Sequence, residues 1–252
     1  MRGAALAAAF AVVVAHAAPA ASSGGAPAPP DPAAATPAGH APSASRSAAS
    51  GSRAGASGGF GPDHLPPVAD ADDPLVDAAP LVPGLIVALA YSTPQNVTGR
   101  ALYPAGARCK LRRSAAERLA LAARALRAKG LRLIAWDCAR PTSAQAALFA
   151  AYPHPGAVAD PARGSLHERG VAVDLGLAAR DGGPVPLPTA FDNFGPAAAA
   201  DAPLPEGPAR KNREALHTAL HAAGFRVNPK EWWHFSRVWG WRWPVVREGE
   251  AL

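Results

Sequence analysis

The chain has 252 residues, 49% of them apolar, and a formal net charge of +6. Residues 1–62 hold Arg2, Arg46 and Arg53 against Asp31, and the remaining basic and acidic groups are scattered, with no run of Lys and Arg. That distribution argues against a nucleic-acid partner, which needs clustered cations.

The elements follow in chain order. "MRGAALAAAFAVVVAHAAPAAS" has one early arginine, an apolar stretch and two small-x-small sites, and so reads as a signal peptide over 1–20. Its apolar core is short for a membrane anchor, no later stretch could span a bilayer, and export with cleavage is the expectation. Residues 21–65 are almost all Ala, Pro, Gly and Ser, which cannot bury enough apolar surface to offset the entropy of ordering, and read as a disordered linker. The folded domain is then expected over 66–252.

Leu85 to Leu89 form a short strand candidate after Pro83 and Gly84. In "LRRSAAERLALAARALRAKG", Leu119, Ala122, Ala123 and Leu126 share one helical face. Ser114 with Glu117 fits a capping box, and Gly130 closes the helix. "LRLIAWD" (131–137) reads as a strand, "CARP" as a turn, and "TSAQAALFAAY" as a helix with Thr142 or Ser143 near its cap. "VAVDLGL" alternates, with Val171, Val173, Leu175 and Leu177 on one side and Ala172, Asp174 and Gly176 on the other, which turns Asp174 away from the core. "NREALHTALHAAGF" is a helix ending at Gly224, and "EWWHFSRVW" is the last strand. The expected class is α+β, a largely antiparallel sheet flanked by helices, in a single domain.

His167 precedes the strand that carries Asp174, and Gly170 between them permits a tight turn. Alone, such a pair is more often a surface hydrogen bond than a metal site. "EWWH" then places Glu231 and His234 three apart. An extended strand would send these two to opposite faces, so a shared cleft requires an irregularity near Glu231. A catalytic zinc takes three protein ligands and keeps one position open. His167, Asp174 and His234 would supply the three, freeing Glu231 as general base. Arg140, at the turn closing 131–137, could stabilise an oxyanion or simply pair with Asp137.

These residues carry a family resemblance. "SLHERGVAVD" resembles the S-x-H-x-x-G-x-A-x-D motif of zinc D-Ala-D-Ala peptidases, and "EWWH" their E-x-W-H motif. "YSTPQNVTGR", "WDCARP" and "TAFDNF" are similar to segments of the VanX-type D-alanyl-D-alanine dipeptidases, in the same order across residues 75 to 243. The resemblance implies the α+β zinc-peptidase fold shared with D-Ala carboxypeptidases and hedgehog-like domains. It also implies one Zn2+ per chain on His167, Asp174 and His234, Glu231 as catalytic base and Arg140 as transition-state stabiliser. Ser165 would help hold the dipeptide D-Ala-D-Ala, and Asp192 would meet its ammonium group. A turn-forming serine and an Asx turn with Asn193 are the plainer alternatives.

Other features have simpler readings. His217 and His221 stand four apart on a helix but lack the glutamate of an H-E-x-x-H zinc site. Trp232, Trp233, Trp239, Trp241 and Trp243 read as packing, with Trp232 or Trp233 available to wall the site. Cys109 and Cys138 are compatible with one disulfide in an exported protein, free buried thiols being the alternative. Ala139 stands where relatives often have tyrosine, which predicts a more open pocket wall. Two rival functions use the same residues: a zinc D,D-carboxypeptidase trimming peptidoglycan stems, and a non-catalytic zinc-binding cell-wall module. The latter could dispense with Glu231.

Overall fold

The computed structural model describes residues 68–153 and 156–252; the expected signal peptide (1–20) and linker (21–65) lie outside the described residues. Among the described residues three α-helices accompany seven strands: β1 (Leu75–Asp77), β2 (Ile86–Val87), β3 (Lys110–Arg112), α1 (Arg113–Ala128), β4 (Leu131–Asp137), α2 (Thr142–Ala151), β5 (Ala172–Ala179), α3 (Pro208–Ala222), β6 (Phe225–Asn228) and β7 (Glu231–Arg237). β1 and β3 form a small antiparallel ladder, and the main sheet has the order β2-β4-β5-β7-β6. Its pairings are antiparallel except at one edge, where β2 runs parallel to β4. The fold is α+β, and among the described residues no helix is long and apolar enough to cross a membrane.

α1 buries Ala115, Ala116, Leu119, Ala120, Ala122, Ala123 and Leu126, the helical stripe its sequence carries. Its start is not the expected capping box. Arg112 is the N-cap and Glu117 is exposed. The Asp73 carboxylate, far away in sequence, accepts the Ser114 N–H at 2.8 Å, the Ser114 hydroxyl at 2.6 Å and the Trp243 indole N–H at 2.8 Å. A buried carboxylate that satisfies helix-end donors leaves nothing for a local box to do. The start of α2 has no side-chain cap of its own and is served in the same way, by Glu248.

β5 keeps the alternation of its sequence, with both faces covered and residues 172–178 buried throughout. Asp174 faces away from the valines, as expected, into the wall of a cavity, with 3% exposure.

Two register shifts set up that site. β4 and β5 pair regularly to Ala135↔Leu175, then slip so that Asp137 opposes Asp174. The extra residue, Trp136, is absorbed as a bulge, which moves Asp137 onto the face carrying Asp174. Across the next ladder Asp174 opposes His234, so the three side chains share one face of the sheet. The second shift lies between Val227↔Phe235 and Asn228↔Glu231, and it supplies the irregularity that lets Glu231 and His234 line one cavity.

Trp136 fills the space above Gly176, where an added Cβ would lie 2.3 Å from the indole ring. That ring packs on Phe191 at 5.2 Å and on Trp232 at 6.0 Å between centroids, making an aromatic wall beside the site. Gly176→Ala is expected to cost about 1–3 kcal/mol by overpacking, read from the urea midpoint. An unchanged midpoint would mean that the wall yields freely.

Candidate metal and catalytic site

The donor atoms of His167, Asp174 and His234 lie within 4.8 Å of one another, the one such cluster among the described residues. His167 Nε2 is 3.1 Å from His234 Nδ1 and 3.3 Å from Asp174 Oδ1, and His234 Nδ1 is 3.0 Å from the same oxygen. In a tetrahedral site with bonds of ~2.0–2.2 Å, donors lie about 3.3–3.6 Å apart. The triangle therefore fits zinc to within a few tenths of an ångström.

Hydrogen bonds around the triangle fix its orientation. His167 Nδ1–H donates to the Cys138 carbonyl at 2.8 Å, since a carbonyl can only accept, and this turns Nε2 toward the other two donors. Such outer contacts are what hold metal-binding imidazoles in place. Cys109 and Cys138 form a disulfide, tying the turn that supplies this carbonyl to the segment before β3. Gly170 has φ +69°, and an added Cβ would meet Leu75 at 2.6 Å, so the turn from His167 into β5 requires glycine. Burial pushes the Asp174 carboxyl up, but His167 and His234 outweigh it and hold the group well below the usual carboxylate range.

Glu231 is 4% exposed, and its Oε2 lies 3.8 Å from His234 Nδ1. Burial, partly opposed by His234, pushes its carboxyl up to about 8. Asn228 donates to Oε2 at 2.8 Å and orients the group. Nothing in the sequence pattern singled out Asn228, because only the slipped register brings it opposite Glu231.

Arg140 is buried, and both readings of it hold together. Its Nε and Nη2 donate to Asp137 Oδ2 at 2.9 and 2.7 Å, Nη1 donates to Gln145 at 2.6 Å, and Nη2 lies 3.8 Å from Asp174 Oδ2. Pairing with Asp137 overcomes the opposing effect of burial and raises its pKa further, so it is a permanent cation in the cavity wall. Tyr103 donates to the other Asp137 oxygen at 2.6 Å, and Tyr91 lies with its ring 5.4 Å from the guanidinium.

Asp192 also lines the cavity and accepts from the Tyr91 hydroxyl at 3.1 Å. Burial and then Asp174 push its carboxyl up to about 8, and its φ of 57° is a left-handed conformation that aspartate tolerates. Ser165 lines the cavity, with its hydroxyl accepting the His167 N–H at 3.2 Å and its own N–H donating to Glu168 at 2.6 Å. It thus shapes the turn that presents His167, as the plainer reading expects, while facing the cavity.

Trp233 walls the cavity, whereas Trp232 is fully buried with its N–H on Thr189 Oγ1. Trp241 lines the cavity too, and is 58% exposed. His217 donates to the Trp232 carbonyl at 2.9 Å and His221 is exposed, so this pair joins no metal cluster among the described residues. Ala139 corrects an expectation. It does not line the cavity; it is 1% exposed and packs against Val246 and Ala251 on the other side of the turn.

The cavity, which opens to solvent, is about 200 Å³, small beside ordinary drug-sized pockets of ~300–1,000 Å³. Residues 71–239 match the peptidase M15 family model described as D-ala-D-ala dipeptidase. The chain belongs to this family. It is also 35% identical over 174 residues to the D-alanyl-D-alanine dipeptidase of Escherichia coli (strain K12), a match that covers 69% of this chain and 90% of that one. For a D-Ala-D-Ala dipeptidase family member the small cavity is in keeping, and the family match stops just after β7.

Proposed function

We propose that the protein is an exported, zinc-dependent D-alanyl-D-alanine dipeptidase that hydrolyses D-Ala-D-Ala to two molecules of D-alanine. The observation that carries the reading is the donor triangle of His167, Asp174 and His234 with the Glu231 carboxylate 3.8 Å from its edge. These three residues would hold the metal. When bound, zinc supplies a Lewis acid for the scissile carbonyl and brings the pKa of water toward neutrality.

The chain's own groups do the rest. Asp192 receives the substrate ammonium, and the raised pKa of this carboxyl suits a group that ionises fully only against a cationic guest. Ser165 borders the bound dipeptide. Glu231, steadied by Asn228 and ionised where a cation on the adjacent donor triangle offsets its burial, takes a proton from the attacking water as the new C–O bond forms, and returns it to the amide nitrogen as the C–N bond breaks. Arg140 keeps one N–H on each terminal nitrogen beyond those given to Asp137 and Gln145, and directs them at the carbonyl oxygen as it gains charge. The disulfide supports export, since such bonds persist in oxidising compartments.

The test is D-alanine release by the purified protein before chelation, after chelation and after zinc is restored. Release lost and regained with one zinc per chain is the expected result. A stem pentapeptide assayed alongside distinguishes a D,D-carboxypeptidase, which would cleave it faster than the dipeptide. Binding of zinc with no hydrolysis of either peptide would sink the enzyme reading.

A further inference from the structure

The segment Pro244–Leu252 lies outside the family match, yet it is fastened to the elements on either side of the catalytic arginine. Val246 donates its N–H at 2.7 Å to the carbonyl of Glu168, the residue after His167. Val246 and Ala251, 6% and 0% exposed, pack on Ala139, the residue before Arg140. Lys110 donates to the Glu250 carbonyl at 3.0 Å, and the Lys110 carbonyl in turn accepts the Ala139 N–H at 2.9 Å.

Glu248 makes the most direct connection. Its carboxylate accepts the Thr142 hydroxyl at 2.7 Å, the Ser143 N–H at 3.3 Å and the Ser143 hydroxyl. These are the first residues of α2, whose N-cap position is Pro141 and offers no side-chain acceptor. A carboxylate there satisfies free helix N–H groups and meets the positive end of the helix dipole. α2 also carries Gln145, which accepts from Arg140 Nη1 and donates at 2.6 Å to the Ala159 carbonyl in the cavity wall.

We propose that Glu248 is a positioning residue: by capping α2 it fixes Gln145, and through Gln145 it fixes the Arg140 guanidinium and the Ala159 wall. The inference rests on the catalytic role proposed for Arg140. Side chains that act through a fixed geometry are sensitive to small shifts, and a 1 Å misplacement costs about 10²-fold in rate.

The experiment compares the zinc-loaded wild type, Glu248→Ala and Glu248→Gln at a temperature where circular dichroism shows all three folded. Glu248→Ala is expected to lower kcat roughly tenfold or more, within that ~10²-fold range, with KM little changed. Glu248→Gln keeps an acceptor oxygen for the hydroxyls and should recover most of the loss. Amide hydrogen exchange is the second readout, and in Glu248→Ala it should quicken over residues 139–148 alone. A wild-type kcat in Glu248→Ala, or faster exchange spread over the whole chain, would overturn the proposal. A wild type that releases no D-alanine fails the functional reading instead, and the exchange pattern still decides whether Glu248 holds this turn.

Discussion

Glu231→Gln is expected to lower kcat by about 10³–10⁴-fold, the upper part of what a positioned acid–base group contributes, with zinc affinity unchanged from wild type. The amide preserves the volume and a partner for Asn228 but cannot take a proton from water. A variant retaining more than about a tenth of wild-type kcat would remove Glu231 from the chemistry, since a positioned general base typically contributes at least ~10²-fold. The same substitution has a consequence for the metal-free protein. Burial holds the Glu231 carboxyl at about 8, above its ordinary value of 4.5. A raised folded-state pKa means that the native state binds the proton more tightly than the unfolded chain does. Its contribution is present below about 4.5 and is lost as pH rises toward about 8. Metal-free Glu231→Gln should therefore melt higher than metal-free wild type at pH 8, and the difference should vanish at pH 4. A lower melting temperature for the variant at pH 8 would contradict the electrostatic account.

Arg140→Ala should lose both rate and stability, by separable routes. Removing a donor aimed at the developing oxyanion costs about 10²–10³ in kcat. It also leaves Asp137, fully buried, without its guanidinium, and breaking a buried pair in this way costs about 3–5 kcal/mol. Adding Asp137→Asn removes the stranded charge and keeps an acceptor for Tyr103. The double variant should regain most of the stability, measured by urea unfolding, and none of the kcat. Recovery of kcat together with stability would mean that Arg140 serves only the fold.

The candidate site was legible in the sequence because two short motifs hold the three clustered donor side chains and Glu231: His167 and Asp174 flank one turn, Glu231 and His234 one strand start. The helices were legible as well, since the alanine and leucine stripe of α1 is the face it buries. What could not be read was anything set by register or by distant partners. The bulge at Trp136 decides which face Asp137 takes, and no spacing rule reveals a bulge. Ser114 and Glu117 satisfied the local rule for a capping box, and Asp73 overrode it from elsewhere in the chain. The cover over the Asp174 face depends on Trp136, Phe191 and Trp232 meeting in space, which alternation along one strand cannot express.

The borrowed helix caps bear on when the molecule can fold during synthesis. Asp73 meets Trp243 across 170 positions of sequence, and Glu248 meets Ser143 across 105. A nascent chain whose ribosome has only just passed β7 has neither Glu248 at α2 nor Val246 on Ala139. α2 then lacks its Glu248 cap, whereas α1 already has Asp73, and contacts of such long separation are slow to close. The turn from Ala139 to Gln145 thus reaches its full set of contacts only after the segment following β7 has left the ribosome.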